Sequence, residues 1–193
     1  MQEMEIMDIM KKTNAYKQGH FKLSSGLHSG AYLQCALLLQ SPVVAARLCG
    51  AVARKFRDNL PDIVIGPALG GIVFAYELAR ALNAQSMFME RTKTGEMTLR
   101  RGFRVCPDNK VLIAEDVLTT GKSVKEVIAL LKKEGVTPTG IACLVDRSVE
   151  PLDFGGIKHE SLLKLELPLF KEEDCLLCRE GVPIEKPGSR DKG

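Results

Sequence analysis

The chain has 193 residues, of which 45% are hydrophobic and 26% are charged, and its formal net charge is +3. This profile predicts one globular domain with a sizeable core. The charge is spread along the chain, which argues against a nucleic-acid-binding protein with a clustered basic face. The acidic N-terminus lacks a secretory-signal pattern, and the apolar runs are far too short to span a bilayer. These features favour a cytoplasmic protein without nucleic-acid or membrane partners.

The N-terminal third predicts a helix, a strand-and-turn region and a second helix. Apolar residues at helical spacing predict a short amphipathic helix over residues 1–18. The Ser- and Gly-rich stretch that follows, residues 21–35, is typical of turns and short strands. Ser41 followed by Pro42 indicates the start of the next helix, with Ser41 as its cap.

Strands and helices alternate through the middle of the chain. Strands are predicted at 62–66, 86–90, 110–115 and 139–145, and helices at 71–82 and 123–134. Val-, Ile- and Leu-rich strands that alternate with helices predict an α/β fold, a mainly parallel twisted sheet flanked by helices. Ligands of such sheets bind at the carboxyl ends of the strands. The loops at 66–71, 91–102 and 116–122 and the residues after Val145 are therefore the candidate binding segments.

The segment from Val111 to Ser123 is the strongest candidate among them. It contains a predicted buried strand, two adjacent acids, a turn with two threonines and a glycine, and the start of a helix. Unpaired N–H groups at a helix N-terminus favour an anion. The acids can accept hydrogen bonds from ribose hydroxyls or hold Mg²⁺ through water. This combination predicts a sugar-phosphate site.

The turn has two simpler interpretations besides phosphate binding. A Walker A loop would need a glycine five residues before Gly121, and position 116 is Asp, so that interpretation fails. A capping box is compatible with the spacing of Ser123 and Glu126. It would explain the helix start but not the paired acids or the threonines.

The sequence Glu-Asp-Val-Leu-Thr-Thr-Gly-Lys-Ser at 115–123 resembles the phosphoribosyl pyrophosphate motif of the type I phosphoribosyltransferases. The resemblance implies that family's fold, Mg²⁺ as cofactor and a homodimer. It also implies that phosphoribosyl pyrophosphate is bound by Glu115, Asp116, Val117, Leu118, Thr119, Thr120, Gly121, Lys122 and Ser123.

Other segments resemble the orotate branch of the family, which implies transfer of the phosphoribosyl group to orotate in pyrimidine (UMP) biosynthesis. The segment from Phe21 to Ser29, with Tyr32, is similar to the family's N-terminal hood. This resemblance implies that Ser25 and Gly26 bind orotate. The pair Asp146-Arg147 is similar to an Asp-Arg pair of the family. This resemblance implies that Arg147 binds the orotate carboxylate and that Thr119 contacts the pyrimidine ring. The family's pyrophosphate loop corresponds to Ala68, Leu69, Gly70 and Gly71.

The hydrophilic stretch at 90–103 has two interpretations. It predicts a solvated hairpin, or by resemblance a mobile basic lid that closes over the pyrophosphate. The resemblance implies that Arg91 and Lys93 act in catalysis together with Asp116. This chain departs from the family at Ser24 and Gly70, where many members carry Lys, and its lid has no His.

The resulting prediction is a single phosphoribosyltransferase domain over residues 1–193. It comprises a hood-forming segment at 1–40, an α/β core at 41–150 and a C-terminal segment at 151–193 whose last several residues are expected to fray. Two alternatives remain: a purine or uracil phosphoribosyltransferase, and a non-catalytic regulator that senses phosphoribosyl pyrophosphate.

The cysteines and histidines are the candidate metal ligands of the sequence. The six cysteines are expected to be free thiols. Cys175 and Cys178 have zinc-compatible spacing, but they supply two ligands where a structural site needs four. The histidines are scattered along the chain, and no metal ligand is assigned directly.

Overall fold

The computed structural model describes residues 1–23 and 25–187. The chain forms two compact units. Unit 1 contains residues 1–38 and the segment from residue 166 onward, and unit 2 contains residues 39–165. The single-domain organisation expected from the sequence stays a prediction. The expected fraying of the C-terminus falls on residues outside the described part of the chain.

Helices and strands alternate through most of the described residues. The α-helices are α1 Glu3–Lys12, α2 Ala36–Leu39, α3 Pro42–Ala53, α4 Gly70–Leu82, α5 Lys122–Lys133 and α6 Leu176–Arg179, and short 3-10 helices lie at Arg54–Phe56 and Glu172–Asp174. The strands are β1 Tyr16–Lys22, β2 His28–Leu33, β3 Ile63–Pro67, β4 Gln85–Arg91, β5 Met97–Leu99, β6 Val111–Leu118, β7 Gly140–Asp146, β8 His159–Lys164, β9 Leu169–Phe170 and β10 Ile184–Glu185.

Unit 2 is built on a six-stranded sheet with the order β5-β4-β3-β6-β7-β8. Strands β4, β3, β6, β7 and β8 pair in parallel. Strand β5 is antiparallel to its neighbour β4. Every residue of β3 and β7 is buried, which is why these strands read as continuous apolar runs. The predicted α/β fold with a mainly parallel sheet and flanking helices is confirmed.

The hydrophobic core under helix α5 is packed from both strands and helix. Ile65, Ile113 and Ile141 come from three neighbouring strands, and Val127 and Leu131 come from α5. The two α5 residues are four positions apart and therefore lie on one face of the helix. This packing fixes the direction of α5, and with it the position of the turn that precedes it.

The first helix is shorter than the sequence predicted. Helix α1 ends at Lys12, and Asn14 then adopts a left-handed conformation with φ 56°. The Thr13 hydroxyl donates a hydrogen bond to the carbonyl of Ile9, which closes the last turn. Strand β1 begins at Tyr16, so the prediction of a helix through residue 18 was wrong at its C-terminal end.

The second helix begins where the sequence predicted. Ser41 lies at the N-cap of α3, and its hydroxyl accepts a hydrogen bond from the Val44 amide. Pro42 occupies the first helical position, where its missing N–H costs no helical hydrogen bond.

Unit 1 contains a four-stranded sheet with the order β10-β1-β2-β9. Strands β1 and β2 form an antiparallel hairpin. The C-terminal segment adds one short strand to each edge of it, β9 antiparallel to β2 and β10 parallel to β1. The short strands that the sequence predicts from residue 21 onward include β2 but only the last two residues of β1, and the strands of the tail are not predicted. No helix of the described residues is long and apolar enough to cross a membrane.

Candidate functional site

Three of the four predicted site segments follow the neighbouring parallel strands β3, β6 and β7. Strand β3 pairs with β6, and β6 pairs with β7 up to the pair Leu118–Asp146. The backbone N–H of Arg147 donates to the carbonyl of Leu118 at 2.8 Å, so the chain leaves β6 and β7 at the same place. Because carboxyl ends of parallel strands share one sheet edge, the three segments that follow these strands converge there.

The turn between β6 and α5 encloses a small concave pocket. Its volume is about 60 Å³, and it is lined by Glu115, Val117, Leu118, Thr119, Thr120, Gly121, Lys122 and Ser123. Gly121 has φ 68°, a left-handed conformation that glycine adopts without strain. Thr119 and Thr120 are exposed residues of this lining. The pocket has the size and donors suited to a phosphate group.

Helix α5 starts at this pocket, where Thr120 Oγ1 accepts a hydrogen bond from the Lys122 amide at 3.4 Å. It begins at Lys122 after the N-cap Gly121. Ser123 therefore lies inside the first helical turn, and Glu126 forms an ion pair with Arg91. The capping-box interpretation of Ser123 and Glu126 was wrong. The dipole of α5 favours an anion at this end of the helix.

The two acids of strand β6 are partly buried next to each other. Burial, followed by the like charge of Asp116, raises the pKa of Glu115 well above its ordinary value. Burial also raises the pKa of Asp116, and a hydrogen bond with the Glu115 side chain opposes that shift. The pair therefore holds a proton more tightly than two exposed carboxyls would. A cation or hydroxyl donors at the pair would favour its fully ionised form.

The turn between β3 and α4 packs directly against Asp116. A Cβ atom on Gly70 would lie 2.6 Å from Asp116 Oδ1, so a side chain there would push the carboxylate aside. The Ala68–Leu69 peptide bond is cis, and Leu69 is 85% exposed. Glycine at position 70, where many family members carry Lys, lets the predicted pyrophosphate loop touch the acid pair.

Arg147 follows β7 and is half-buried. The neighbouring Asp146 is 5% exposed, and its Oδ1 accepts a hydrogen bond from the Ser148 amide at 2.8 Å. Its Oδ2 lies 3.9 Å from His159 Nε2. The Asp146 carboxylate thus has its own partners, one just after β7 and one in β8.

Ser25 and Gly26, the other residues predicted to bind orotate, lie in unit 1. They form the turn between β1 and β2, where the Gly26 amide donates to the carbonyl of Leu23 at 2.9 Å. Ser24, the position at which many family members carry Lys, lies outside the described residues.

The basic segment at 90–103 contains an antiparallel hairpin of β4 and β5. Arg91 Nη1 donates to the carbonyl of Gly95 at 2.8 Å, and its Nη2 is paired with Glu126 of α5. Arg101 makes two hydrogen bonds to Glu90, of 3.0 and 3.1 Å. Lys93 lies in the exposed turn. The solvated-hairpin interpretation describes this arrangement, and the role of a closing lid stays a prediction.

Comparison with known proteins identifies the family. A family model described as a phosphoribosyl transferase domain matches residues 37–153. The orotate phosphoribosyltransferase of Caldicellulosiruptor bescii is 49% identical over 192 residues, covering 100% of both chains. This chain belongs to the orotate phosphoribosyltransferase family.

Further relatives agree with this assignment. The orotate phosphoribosyltransferase of Thermotoga maritima is 49% identical over 185 residues, covering 96% of this chain and 98% of that protein. Among solved structures, the orotate phosphoribosyltransferase of Aeropyrum pernix has a TM-score of 0.73 and 27% identity, covering 83% of this chain and 93% of that one. The predicted type I phosphoribosyltransferase fold is confirmed.

Sequence reasoning missed one group of residues in unit 1. The structure places His20 and His28 beside Cys175 and Cys178, with one potential ligand atom of each within 4.8 Å of all the others. The Cys-x-x-Cys spacing was the only sequence signal, because the two histidines are about 150 residues away from it in the chain.

The raised pKa of Glu115 predicts how stability depends on pH. The folded chain keeps a proton that the unfolded chain loses above the ordinary value of 4.5, so the free energy of unfolding falls as pH rises towards the raised pKa. Glu115→Gln should remove most of this fall and unfold at a higher urea concentration than the wild type at about pH 8.

Urea unfolding of both proteins between about pH 5 and about pH 9 measures this difference. Glu96→Gln, a change at an exposed hairpin residue, is the control and should follow the wild type. Parallel curves for the wild type and Glu115→Gln would show that the carboxyl is not held protonated by the fold.

Proposed function

We propose that this protein transfers the 5-phosphoribosyl group of phosphoribosyl pyrophosphate to orotate, giving orotidine 5'-phosphate and pyrophosphate. The observation that carries the proposal is the pocket at the start of α5, lined by Glu115 and all residues from Val117 to Ser123. It combines a helix N-terminus, hydroxyl donors and a partly buried acid pair at one sheet edge. Each of these features suits one part of a ribose 5-phosphate.

The phosphate and the ribose have different requirements, and the site separates them. The backbone amides and hydroxyls of Thr119 to Ser123 hold the 5-phosphate, because the dipole of α5 favours negative charge at this end. Glu115 and Asp116 precede the turn and accept hydrogen bonds from the ribose hydroxyls. Hydroxyl donors at two partly buried acids favour their ionised form, which relieves part of the cost of ionising them.

The pyrophosphate leaves from C1 of the ribose. The loop of Ala68, Leu69, Gly70 and Gly71 contacts the pyrophosphate. This loop lies next to the ribose site because Gly70 packs against Asp116. Mg²⁺ fits this arrangement because carboxylate oxygens are hard ligands of the kind this ion prefers. The carboxylates of Glu115 and Asp116 would hold it beside the ribose. The ion, when bound, neutralises charge on the departing pyrophosphate.

Orotate is selected by its carboxylate. Arg147 presents a planar guanidinium that can bind a carboxylate through two parallel hydrogen bonds. Thr119 lies after the strand next to that of Arg147 and contacts the pyrimidine ring. Uracil lacks the carboxylate and would leave the arginine without its partner, which disfavours uracil. By family resemblance Ser25 and Gly26 also bind orotate.

Catalysis then depends on positioning and electrostatics. Breaking the bond from C1 to pyrophosphate leaves positive character on the ribose and negative charge on the leaving group. Arg91 and Lys93 stabilise that negative charge, and Asp116 holds the ribose in place. No covalent intermediate with the enzyme is required. We further propose that the enzyme acts in the cytoplasm as a homodimer, as the family resemblance implies.

A direct assay tests this function. Purified protein with phosphoribosyl pyrophosphate and Mg²⁺ should consume orotate, followed by its absorbance, and should leave uracil and purine bases unchanged. Consumption of another base in place of orotate would contradict the assigned base specificity. Binding of phosphoribosyl pyrophosphate without turnover of any base would instead identify a regulator that senses this compound.

Arg147→Ala should lower kcat/KM for orotate by about 10- to 100-fold, the loss expected when one charged hydrogen-bonding partner is removed. Arg147→Lys should restore only part of the activity, because lysine keeps the charge but lacks the planar fork. Arg57→Ala, an exposed arginine that precedes β3, is the control and should retain full activity. If Arg147→Ala preferred orotate over uracil as strongly as the wild type, its role in selecting the base would be excluded.

Arg91→Ala should lower kcat by roughly 100- to 1,000-fold, by analogy with other preorganised donors, while the fold is retained. The ion pair with Glu126 offers a competing explanation, in which Arg91 only tethers the hairpin. Glu126→Gln removes the partner and keeps the arginine, so its kcat should remain near that of the wild type. Equal losses in both variants would show that the ion pair, not the free guanidinium, supports turnover.

A further inference from the structure

We propose that unit 1 contains a structural zinc site formed by His20, His28, Cys175 and Cys178. Two strands of the N-terminal hairpin supply the histidines, and the C-terminal segment supplies the cysteines. The site would hold these two distant parts of the chain together. This proposal does not depend on the transferase activity.

The distances between the four side chains match a tetrahedral metal site. His20 Nε2 lies 3.1 Å from His28 Nδ1, 3.5 Å from Cys175 Sγ and 3.6 Å from Cys178 Sγ. Cys178 Sγ lies 3.2 Å from His28 Nδ1. A tetrahedral zinc with bonds of ~2.0 Å to nitrogen and ~2.3 Å to sulfur keeps its ligand atoms about 3.3–3.8 Å apart. Four of the six distances are thus close to those of a tetrahedral zinc site, and all six are within 4.8 Å.

Local structure directs the ligands to this point. His20 lies in β1 and His28 in the antiparallel strand β2. Cys175 immediately precedes α6 and Cys178 lies within it, so a spacing of three residues places both sulfurs on one side of the helical turn. Cys-x-x-Cys with two histidines is a ligand set that favours zinc over Mg²⁺ or Ca²⁺, which prefer oxygen.

The second nitrogen of the His20 imidazole supports metal binding. His20 Nδ1 lies 2.8 Å from the carbonyl of Val182, so this nitrogen carries the proton and Nε2 presents a lone pair to the cluster. Such an outer hydrogen bond to a carbonyl is typical of metal-bound histidines. If His28 binds through Nδ1, its proton lies on Nε2. Among the described residues that atom has no hydrogen-bond partner, and Glu172 Oε2 is 3.9 Å away.

Burial favours a neutral metal cluster over four separate polar groups. His20, His28 and Cys175 are at most 3% exposed. One Zn²⁺ with two thiolates and two neutral imidazoles has no net charge, so it avoids the cost of burying an isolated ion. Four protein ligands leave no open position, which indicates a structural rather than a catalytic metal.

The architecture of unit 1 gives such a site a clear purpose. The tail strands β9 and β10 have two residues each, and they are the only strand pairs that join the C-terminal segment to the hairpin within the described residues. So short a ladder contributes few hydrogen bonds. A small unit with a limited core commonly needs a metal or disulfide for stability.

Metal analysis of the purified full-length protein, prepared without a metal-affinity tag, tests the site. The wild type should contain about one zinc per chain, and Cys178→Ser should contain at least about tenfold less. Cys106→Ser, a change at an exposed cysteine of unit 2, is the matched control and should keep its zinc. His28→Cys should retain the metal, because three cysteines and one histidine also form a zinc site.

A second measurement uses only the wild type, in case Cys178→Ser does not fold. The protein, unfolded with a chelator and refolded with Co²⁺, should show the visible spectrum of tetrahedral cobalt with thiolate ligands. A chelator should also lower its Tm. The proposal is overturned if the wild type contains no zinc and gives no such cobalt spectrum. It is equally overturned if Cys178→Ser keeps its zinc, or if a Cys175–Cys178 disulfide forms in protein grown with added zinc.

Discussion

Parallel pairing of β3, β6 and β7 is the constraint on which the candidate site depends. Neighbouring parallel strands present their carboxyl ends at one sheet edge, whatever the sequence between them. The turn after β3, the acids and turn of β6 and Arg147 after β7 are thereby collected from positions up to 80 residues apart. The apolar strands and the buried face of α5 hold this edge rigid, so loops carry the chemistry while the sheet fixes their positions.

The acid pair shows how function acts against stability at this edge. Partial burial raises the pKa of both Glu115 and Asp116, which means that the folded state disfavours their full ionisation. A ribose with two hydroxyls, or a divalent cation, would favour the ionised form of the pair. Gly70 belongs to the same arrangement, because any larger side chain would displace the Asp116 carboxylate.

Unit 1 follows a different principle. Its sheet combines a hairpin near the N-terminus with two very short strands from the C-terminal segment. Contacts between segments so distant in sequence must offset the entropy of closing a long loop. The cluster of His20, His28, Cys175 and Cys178 lies where those segments meet, and a bound metal would supply that free energy at a single point.

The sequence by itself determined the α/β fold, most helix and strand positions in unit 2, the family and the composition of the phosphate turn. These features are encoded locally, in apolar periodicity, in the Ser41 cap and in the motif at 115–123. Only the tertiary structure decided that Glu126 pairs with Arg91 instead of capping α5, and that Gly70 contacts Asp116. It also decided that two histidines meet two cysteines about 150 residues away. Such contacts depend on how strands pair across the chain, and neither periodicity nor spacing records that pairing.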